Sequence, residues 1–221
     1  MNVLNKKLLA ITSLFIVLLL TTSVAIMVWW TTREPFDLGY SEIREYEGKD
    51  LSSINNFRPN SIKGSQQIDN QTYTLTLSGL VKNELELTYN DVLSSYQSYK
   101  KVVTLNCVEG WRVTILWEGI KLQDILSEAE VSSKANTVIF RAYDGYSTSL
   151  PLDYIIDNNI LMAYKMNNVT LPPERGYPFQ LVAESKWGYK WIKWITSIEL
   201  SDNPDYKGFW ESRGWDNDAD L

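Results

Sequence analysis

One cysteine, Cys107, lies two residues before a carboxylate, Glu109, in the segment TLNCVEGW at residues 104–111. It is the only cysteine in the sequence, so the chain cannot form a disulfide within itself. A lone thiol serves as a buried apolar filler, as a nucleophile or as a thiolate ligand to a metal. Composition alone favours the filler, since free cysteine is among the most often buried residue types. The surrounding residues have to distinguish these uses.

Histidine is absent from the sequence. This absence excludes Ser-His-Asp and Cys-His catalytic systems, most zinc and non-haem iron sites, and histidine-ligated haem. We therefore expect no haem in this chain. An enzyme of this composition depends on carboxylates, Lys, Arg, Tyr or Cys107, or on a cofactor that carries the difficult chemical step.

The charge balance argues against a nucleic-acid partner. Lys and Arg number 21 against 27 Asp and Glu, which gives a formal net charge of −6. A protein that neutralises phosphates needs a basic surface, and no basic run occurs here. The length of 221 residues suits one membrane segment and one soluble domain.

Residues 8–30 carry no charged side chain and are long enough to cross a hydrocarbon core of about 30 Å as a helix. Lys6 and Lys7 precede this segment, which predicts a cytoplasmic N-terminus and a domain outside the cytoplasm. A cleaved signal peptide is the alternative, with residues 23–25 as a passable cleavage site. The apolar run continues past that site, which favours a single-pass anchor within residues 1–30. The polar residues 31–53 are then a juxtamembrane linker.

The remaining residues, 54–221, are predicted to form one α+β domain of mixed short strands and few helices. Strands are predicted where β-branched and aromatic residues cluster or alternate with polar ones: residues 72–81, 101–105, 112–117, 137–142, 146–150, 160–164, 178–183 and 191–200. Helices are predicted at residues 87–93, 122–126 and 151–159, the first with Thr88 as N-cap and Asp91 at the capping-box position. The elements do not alternate regularly, which argues against a doubly wound sheet.

A series of motifs follows one order along this domain. They are CVEGW at 107–111, WEG at 117–119, AYKMN at 163–167, LPPERGYP at 171–178 and KWGYKWIKW at 186–194. In this order and at these spacings they resemble the molybdopterin-binding domain of the sulfite oxidase superfamily. The resemblance covers residues 54–221 and implies the sulfite-oxidase-type molybdopterin-binding fold, with a molybdenum-molybdopterin cofactor.

The resemblance also implies roles for individual residues. Cys107 is expected to be the protein ligand to a molybdenum ion that the pyranopterin dithiolene otherwise holds, because a soft thiolate suits such a metal. Glu109 is expected to face the metal's oxo or water ligand and to relay protons, with a structural carboxylate as the alternative. Contacts to the pterin and its phosphate are implied for polar and cationic residues whose alternative is an ordinary solvated side chain: Asn55, Arg58, Arg175, Lys190 and Lys193.

The sequence departs from the family pattern at several places. Gln180 stands where many relatives carry Arg, and Arg175 is the candidate to replace that contact. Arg112 stands where relatives often carry Ser, and a cation near the metal would favour an anionic oxo-substrate. No twin-arginine pair precedes the apolar segment, so the usual route of export with the cofactor already loaded is not indicated.

The resemblance is greater to the compact catalytic subunits of periplasmic sulfoxide reductases than to sulfite oxidases, since little chain follows residues 208–215. We therefore expect a membrane-tethered molybdenum oxidoreductase that transfers an oxygen atom to or from a small oxo-substrate, by S- or N-oxide reduction. Its electrons would come from a separate membrane-bound or soluble redox partner. Sulfite oxidation is the alternative reaction. A non-catalytic extracytoplasmic binding module that retained the fold is the alternative from another class.

Overall fold

The computed structural model describes residues 41–221. The predicted membrane segment, residues 8–30, lies outside this part of the chain, as do residues 31–40 of the predicted linker. Within residues 41–221 there is no helix of the length and apolarity that crossing a membrane requires.

The described part of the chain is built mainly from short strands. The strands are β1 Glu45–Tyr46, β2 Lys49–Asp50, β3 Thr74–Gly79, β4 Leu85–Thr88, β5 Ser98–Asn106, β6 Arg112–Lys121, β7 Thr137–Ala142, β8 Ser147–Pro151, β9 Leu161–Met166, β10 Val169–Thr170, β11 Gln180–Val182 and β12 Ile195–Ser201. The α-helices are α1 Tyr89–Ser95, α2 Leu122–Ala129 and α3 Leu152–Asp157, and the 3₁₀-helices are Pro173–Arg175, Gly188–Lys190 and Glu211–Arg213.

The strands form two larger sheets and the small hairpin β1–β2. One sheet has the order β10-β9-β6-β5, with β11 also paired to β9, and all of its pairs are antiparallel. The other has the order β4-β3-β12-β7-β8, in which β3 and β12 are parallel and the remaining pairs antiparallel. Large apolar side chains such as Trp117, Phe140 and Phe179 are fully buried in the core.

Local sequence signals correspond closely to these elements. The Thr88 side chain accepts a hydrogen bond from the Asp91 backbone N–H, and the Asp91 side chain accepts one from the Thr88 N–H, so the predicted capping box is present. The strands predicted at residues 137–142 and 146–150 are observed as β7 and β8, which pair as an antiparallel hairpin. The strand predicted at residues 191–200 begins only at Ile195, because Trp194 has a φ of 55° that interrupts the extended backbone. A mixed fold of short strands and few helices is therefore observed as predicted.

Residues 42–53 contact the domain although they fall in the predicted linker. Glu42 accepts hydrogen bonds from the Ile54 N–H at 2.8 Å and from the Asn167 amide at 3.1 Å. Leu51 is buried, and the Ser52 N–H donates to the Thr114 carbonyl at 2.8 Å. This part of the predicted linker is thus fixed on the fold, because its polar groups find partners there. The division at residue 54 stays a prediction.

Gly119 explains why the WEG motif of β6 ends in glycine. A Cβ at this position would lie 2.2 Å from the Met162 carbonyl oxygen and 2.6 Å from the Ala163 Cα. The close approach occurs where the register between β6 and β9 shifts, between Glu118 and Gly119. Both clashing atoms belong to the backbone, so a larger residue has no flexible neighbour to displace.

We predict that Gly119→Ala destabilises the protein by about 3 kcal/mol, because the added methyl group overpacks the β6–β9 contact. The matched control is Gly48→Ala. Unlike Gly119, Gly48 has open space around it, but its φ is 74°, so alanine there should cost about 1 kcal/mol. Urea unfolding of the purified variants measures both. Equal losses in the two variants would contradict the steric explanation.

Candidate active site

A cavity of about 540 Å³ brings together side chains from well-separated parts of the chain. Its wall includes the loop before β3, the turn after β5, the 3₁₀-helix Pro173–Arg175, the segment 188–194 and the segment 210–215. Cys107 lines this cavity. No described group of three or more His, Cys, Asp or Glu side chains is arranged to hold a metal ion.

Cys107 is held in a tight turn directly after β5. Its N–H donates to the Trp111 carbonyl at 2.9 Å, and its carbonyl accepts from the Gly110 N–H at 3.0 Å. Gly110 has a φ of 88°, which glycine adopts without steric cost. Gly188 approaches from the other side, where a Cβ would lie 3.5 Å from the Cys107 Cα. The thiol is therefore fixed at the cavity wall by backbone contacts rather than by a mobile loop.

The thiol is 7% exposed and unpaired in any disulfide. Burial raises its pKa, and the nearby Glu109 carboxylate adds to that rise. The Asn60 amide donates to the Cys107 Sγ at 3.7 Å and acts in the opposite direction. Without a metal the thiol is therefore a weak nucleophile, which argues against the nucleophile use of a lone cysteine.

Glu109 lines the same cavity on its solvent-exposed side. Its carboxylate accepts from the Trp111 indole N–H at 3.0 Å. This bond, a bond from Asn60 and the positive charge of Arg58 lower the pKa of Glu109. The carboxylate is accordingly ionised at neutral pH, and its expected role as a proton relay stays a prediction.

Arg175 contributes a buried cation to the cavity. Its side chain is 5% exposed, and its guanidinium lies 3.8 Å from the centre of the Phe57 ring. Nη2 donates to the Phe57 carbonyl at 2.8 Å, whereas Nε and Nη1 are buried without a hydrogen-bond partner. Burial lowers the pKa of Arg175. An anionic or heteroatom-rich ligand in the cavity would supply hydrogen-bond acceptors for these two unsatisfied donors.

Lys193 lies against the loop that carries Arg175. A Cβ on Gly176 would lie 2.9 Å from the Lys193 Cγ, and the Lys193 Nζ donates to the Glu174 carbonyl at 3.1 Å. Burial, followed by the positive charge of Arg175, lowers the pKa of Lys193 to about 8. The fold therefore keeps two cations close together in a partly dehydrated place, which favours a doubly charged anion such as a phosphate.

Other predicted residues are placed differently. Arg58 is exposed and lines the cavity. Asn55 is exposed and does not line it, and neither does Arg112, which is exposed at the start of β6. Gln180 is buried and lines the cavity, where the predicted replacement Arg175 is also present.

Lys190 is not brought to the cavity. Its side chain is 0% exposed, and its Nζ donates to Glu211 at 2.6 Å, to the Ser149 carbonyl at 3.0 Å and to the Asn217 side chain at 3.4 Å. A lysine with these partners has no donor left pointing at a ligand, so we leave it out of the proposed cofactor contacts. The sequence around Lys190 does not reveal its pairing with Glu211, because Glu211 is distant in the chain.

Sequence reasoning missed Asn60 and the aromatic side chains of the wall. Asn60 contacts Cys107, whereas the notable asparagine in the same loop was expected to be Asn55. The ring of Phe57 packs against Trp111, with centroids 5.5 Å apart. A loop without regular structure has no periodicity that indicates which residue faces inward. The sequence therefore did not distinguish Asn60 from Asn55.

The residues present fit a molybdopterin cofactor. Cys107 offers one soft sulfur donor, which suits a metal that arrives with its other ligands in the cofactor. The orphaned Nε and Nη1 of Arg175, together with Lys193, suit the phosphate and the heteroatoms of a pterin. The cavity of about 540 Å³ lies in the range of small-molecule sites.

Comparison with known proteins decides the family. Residues 62–210 match the family described as the oxidoreductase molybdopterin binding domain. The chain belongs to this family. The predictions of a molybdopterin-dependent oxidoreductase and of its molybdopterin-binding fold are therefore confirmed.

Curated relatives include oxidoreductases of several kinds. The uncharacterized oxidoreductase YuiH of Bacillus subtilis is 33% identical over 148 residues, which cover 66% of this chain and 74% of the relative. The protein-methionine-sulfoxide reductase catalytic subunit MsrP of Gluconobacter oxydans is 29% identical over 195 residues, 73% of this chain and 62% of the relative. The NADPH nitrate reductase of Fusarium oxysporum is 30% identical over 154 residues, 58% of this chain but 17% of the relative.

A solved structure shares the fold. It is the sulfane dehydrogenase SoxCD of Paracoccus pantotrophus, with a TM-score of 0.60 and 22% identity over 63% of this chain and 41% of that chain. At this identity the likeness concerns the fold alone. This molybdopterin-binding domain thus spans less than two thirds of several of the proteins that it matches.

We predict a pH-dependent effect of Lys193→Met on the cofactor-free protein. Folding lowers the pKa of Lys193 from 10.5 to about 8, so between these values the unfolded chain binds more protons and stability rises with pH. Below pH 8 the full penalty of the buried charge applies. The variant should therefore be more stable than the wild type by about 2 kcal/mol at pH 7, with a smaller difference at pH 9.5.

Urea unfolding followed by tryptophan fluorescence at the two pH values measures this effect. Lys207→Met is the matched control, since Lys207 is exposed and its replacement should change stability by less than about 0.5 kcal/mol. A Lys193→Met difference of the same size at both pH values would show that lost packing, rather than charge, governs the change.

Proposed function

We propose that this chain is a membrane-tethered molybdenum-pterin oxidoreductase that transfers an oxygen atom with two electrons, in the direction of S- or N-oxide reduction. The observation that carries the proposal is the convergence of the Cys107 thiol with Arg175 and Lys193 in one cavity. In the described part of the chain, Nε and Nη1 of Arg175 have no hydrogen-bond partner, and the family membership supplies the cofactor that would complete them.

When bound, the cofactor supplies the metal at which the oxygen atom is exchanged and the two electrons are carried. The residues of this chain bind and orient it. We assign Cys107 as the thiolate ligand, with the Asn60 amide donating to its sulfur. Arg175 and Lys193 bind the pterin or its phosphate, and Arg58 at the exposed side supports the ionised Glu109.

Glu109 is proposed to move protons at the cavity. For an S-oxide the overall reaction consumes two electrons and two protons and releases a sulfide and water, so protons must reach the site from solvent. The Glu109 carboxylate is exposed, ionised and fixed by the Trp111 indole N–H. The exposed position suits a group that exchanges protons with water beside Cys107, while the lowered pKa keeps the carboxylate ionised between transfers.

The choice of S-oxide reduction is supported by the similarity to MsrP, a protein-methionine-sulfoxide reductase catalytic subunit. Sulfite oxidation, the opposite direction of the same oxygen transfer, is the alternative that the assays must separate. The proposal includes a single-pass anchor at residues 8–30, with the N-terminus in the cytoplasm and the catalytic domain outside it. It also includes a separate redox partner that delivers electrons.

We predict that protein purified from its own source contains stoichiometric molybdenum and pterin, and that Cys107→Ser reduces turnover by at least about 100-fold through loss of the thiolate ligand. Metal analysis and pterin fluorescence measure the content. Dithionite-reduced viologen with a panel of sulfoxides and N-oxides, beside a sulfite and ferricyanide assay, measures the reaction. Turnover of sulfite alone would contradict the reductase assignment, and full activity of Cys107→Ser would contradict the ligand assignment.

We also predict that Arg175→Met lowers the pterin content of the purified protein by about tenfold, because the cavity loses its orphaned donors. Arg141→Met is the matched control. Arg141 pairs with Glu199 at 2.5 Å and is partly exposed, and its replacement should leave pterin content unchanged. A fall of similar size in both variants would indicate general destabilisation instead of lost cofactor contacts.

A further inference from the structure

Two tryptophan side chains remain exposed at the cavity that contains Cys107. Trp210 is 37% exposed and Trp215 is 40% exposed, and both line this cavity. They come from the segment after β12, which the family motifs discussed above do not include. Removing apolar surface from water is favourable, so exposed indoles at a cavity wall can stabilise a bound apolar ligand.

The two indoles belong to a packed aromatic cluster, which we define as Tyr189, Phe209, Trp210 and Trp215. The Tyr189 and Trp215 rings are 5.2 Å apart, Trp210 and Trp215 are 5.8 Å apart, and Phe209 and Trp210 are 5.3 Å apart, all in edge-to-face arrangements. The Tyr189 hydroxyl also donates to the Asp216 carbonyl at 2.8 Å. The rings are therefore positioned before any ligand arrives, which lowers the entropic cost of binding.

A buried ion pair fixes the segment that carries this cluster. Glu211, between the two tryptophans in sequence, is 1% exposed and accepts from the Lys190 Nζ and the Thr148 hydroxyl, both at 2.6 Å. Breaking such a pair leaves an uncompensated buried charge, which is strongly unfavourable. The orientation of Trp210 and Trp215 at the cavity thus depends on Lys190, the lysine that does not reach the cavity itself.

We propose that Trp210 and Trp215 form a substrate subsite that binds the apolar arm of a neutral organic sulfoxide, such as an aryl or extended alkyl group. This inference rests on the proposed S-oxide reduction and names its substrate class. Indole faces stack on aromatic rings and contact polarisable sulfur groups. Dimethyl sulfoxide has no large apolar arm to contact these rings, so the subsite favours sulfoxides that have one.

The test compares the cofactor-loaded enzyme with its Trp215→Ala and Trp210→Ala variants on methyl p-tolyl sulfoxide and dimethyl sulfoxide. We expect kcat/KM for the aryl sulfoxide to fall by about tenfold, mainly through KM, because one ring contact is lost. For dimethyl sulfoxide we expect a change of less than about twofold. Equal losses on both substrates, or no loss on the aryl substrate, would overturn the proposal.

Conservative and distant variants serve as controls. Trp215→Phe keeps an aromatic face and should retain most of the preference for the aryl sulfoxide. Ile156→Ala removes an exposed apolar side chain that does not line this cavity, and it should leave both substrates unaffected. The molybdenum content of Trp215→Ala should equal that of the wild type. A lower content would mean that the indole contacts the cofactor and would overturn the substrate assignment.

A binding measurement separates failure of this inference from failure of the proposed function. Calorimetric titration with methyl p-tolyl sulfone, which resembles the sulfoxide in shape, should show tighter binding than dimethyl sulfone in the wild type and not in Trp215→Ala. If no sulfoxide is reduced but this difference is present, the proposed reaction is wrong and the subsite stands. If sulfoxides are reduced but the difference is absent, the subsite is wrong.

Discussion

The removal of cations from water governs this site. Arg175 and Lys193 are held beside one another in a partly dehydrated cavity, where burial disfavours the charged form of both and the positive charge of Arg175 further disfavours that of Lys193. Burial disfavours both positive charges, the Asp144 and Glu174 carboxylates offset part of this effect, and an anion entering the cavity would offset more of it. Burying the two positive charges therefore favours the binding of a negatively charged ligand. The surrounding loops hold the two cations close together.

Backbone close approaches provide that rigidity. Gly176 allows the arginine loop to lie on the stem of Lys193, and Gly188 allows the segment after it to lie on Cys107. Because glycine lacks a Cβ, the Gly176 backbone contacts the Lys193 side chain directly, and the Gly188 backbone contacts the backbone of residues 106–107 directly. The cysteine and the cations are consequently fixed relative to the same short segments, although they are distant in sequence.

Local signals in the sequence predicted the elements better than the site. The Thr88 cap and the β7–β8 hairpin depend on neighbouring residues, so the sequence pattern contains them. The position of Cys107 just after a strand was also predicted correctly. Lys190 is held away from the cavity by its ion pair with Glu211. Asn60, and not Asn55, contacts Cys107 because of the way an irregular loop folds. Long-range pairing of this kind has no local pattern, and so it could not be derived.

The buried pair between Lys190 and Glu211 has a consequence for how such proteins diversify. One short stretch, residues 210–215, both completes the packing of the domain and presents rings to the cavity. If Trp210 and Trp215 bind substrate as proposed, changes to these rings would alter what the cavity accepts while the ion pair keeps the stretch in place. Different residues of this stretch would then determine stability and substrate selectivity. A relative that retained the Lys190–Glu211 pair could acquire a different substrate preference through single substitutions at the positions of Trp210 and Trp215.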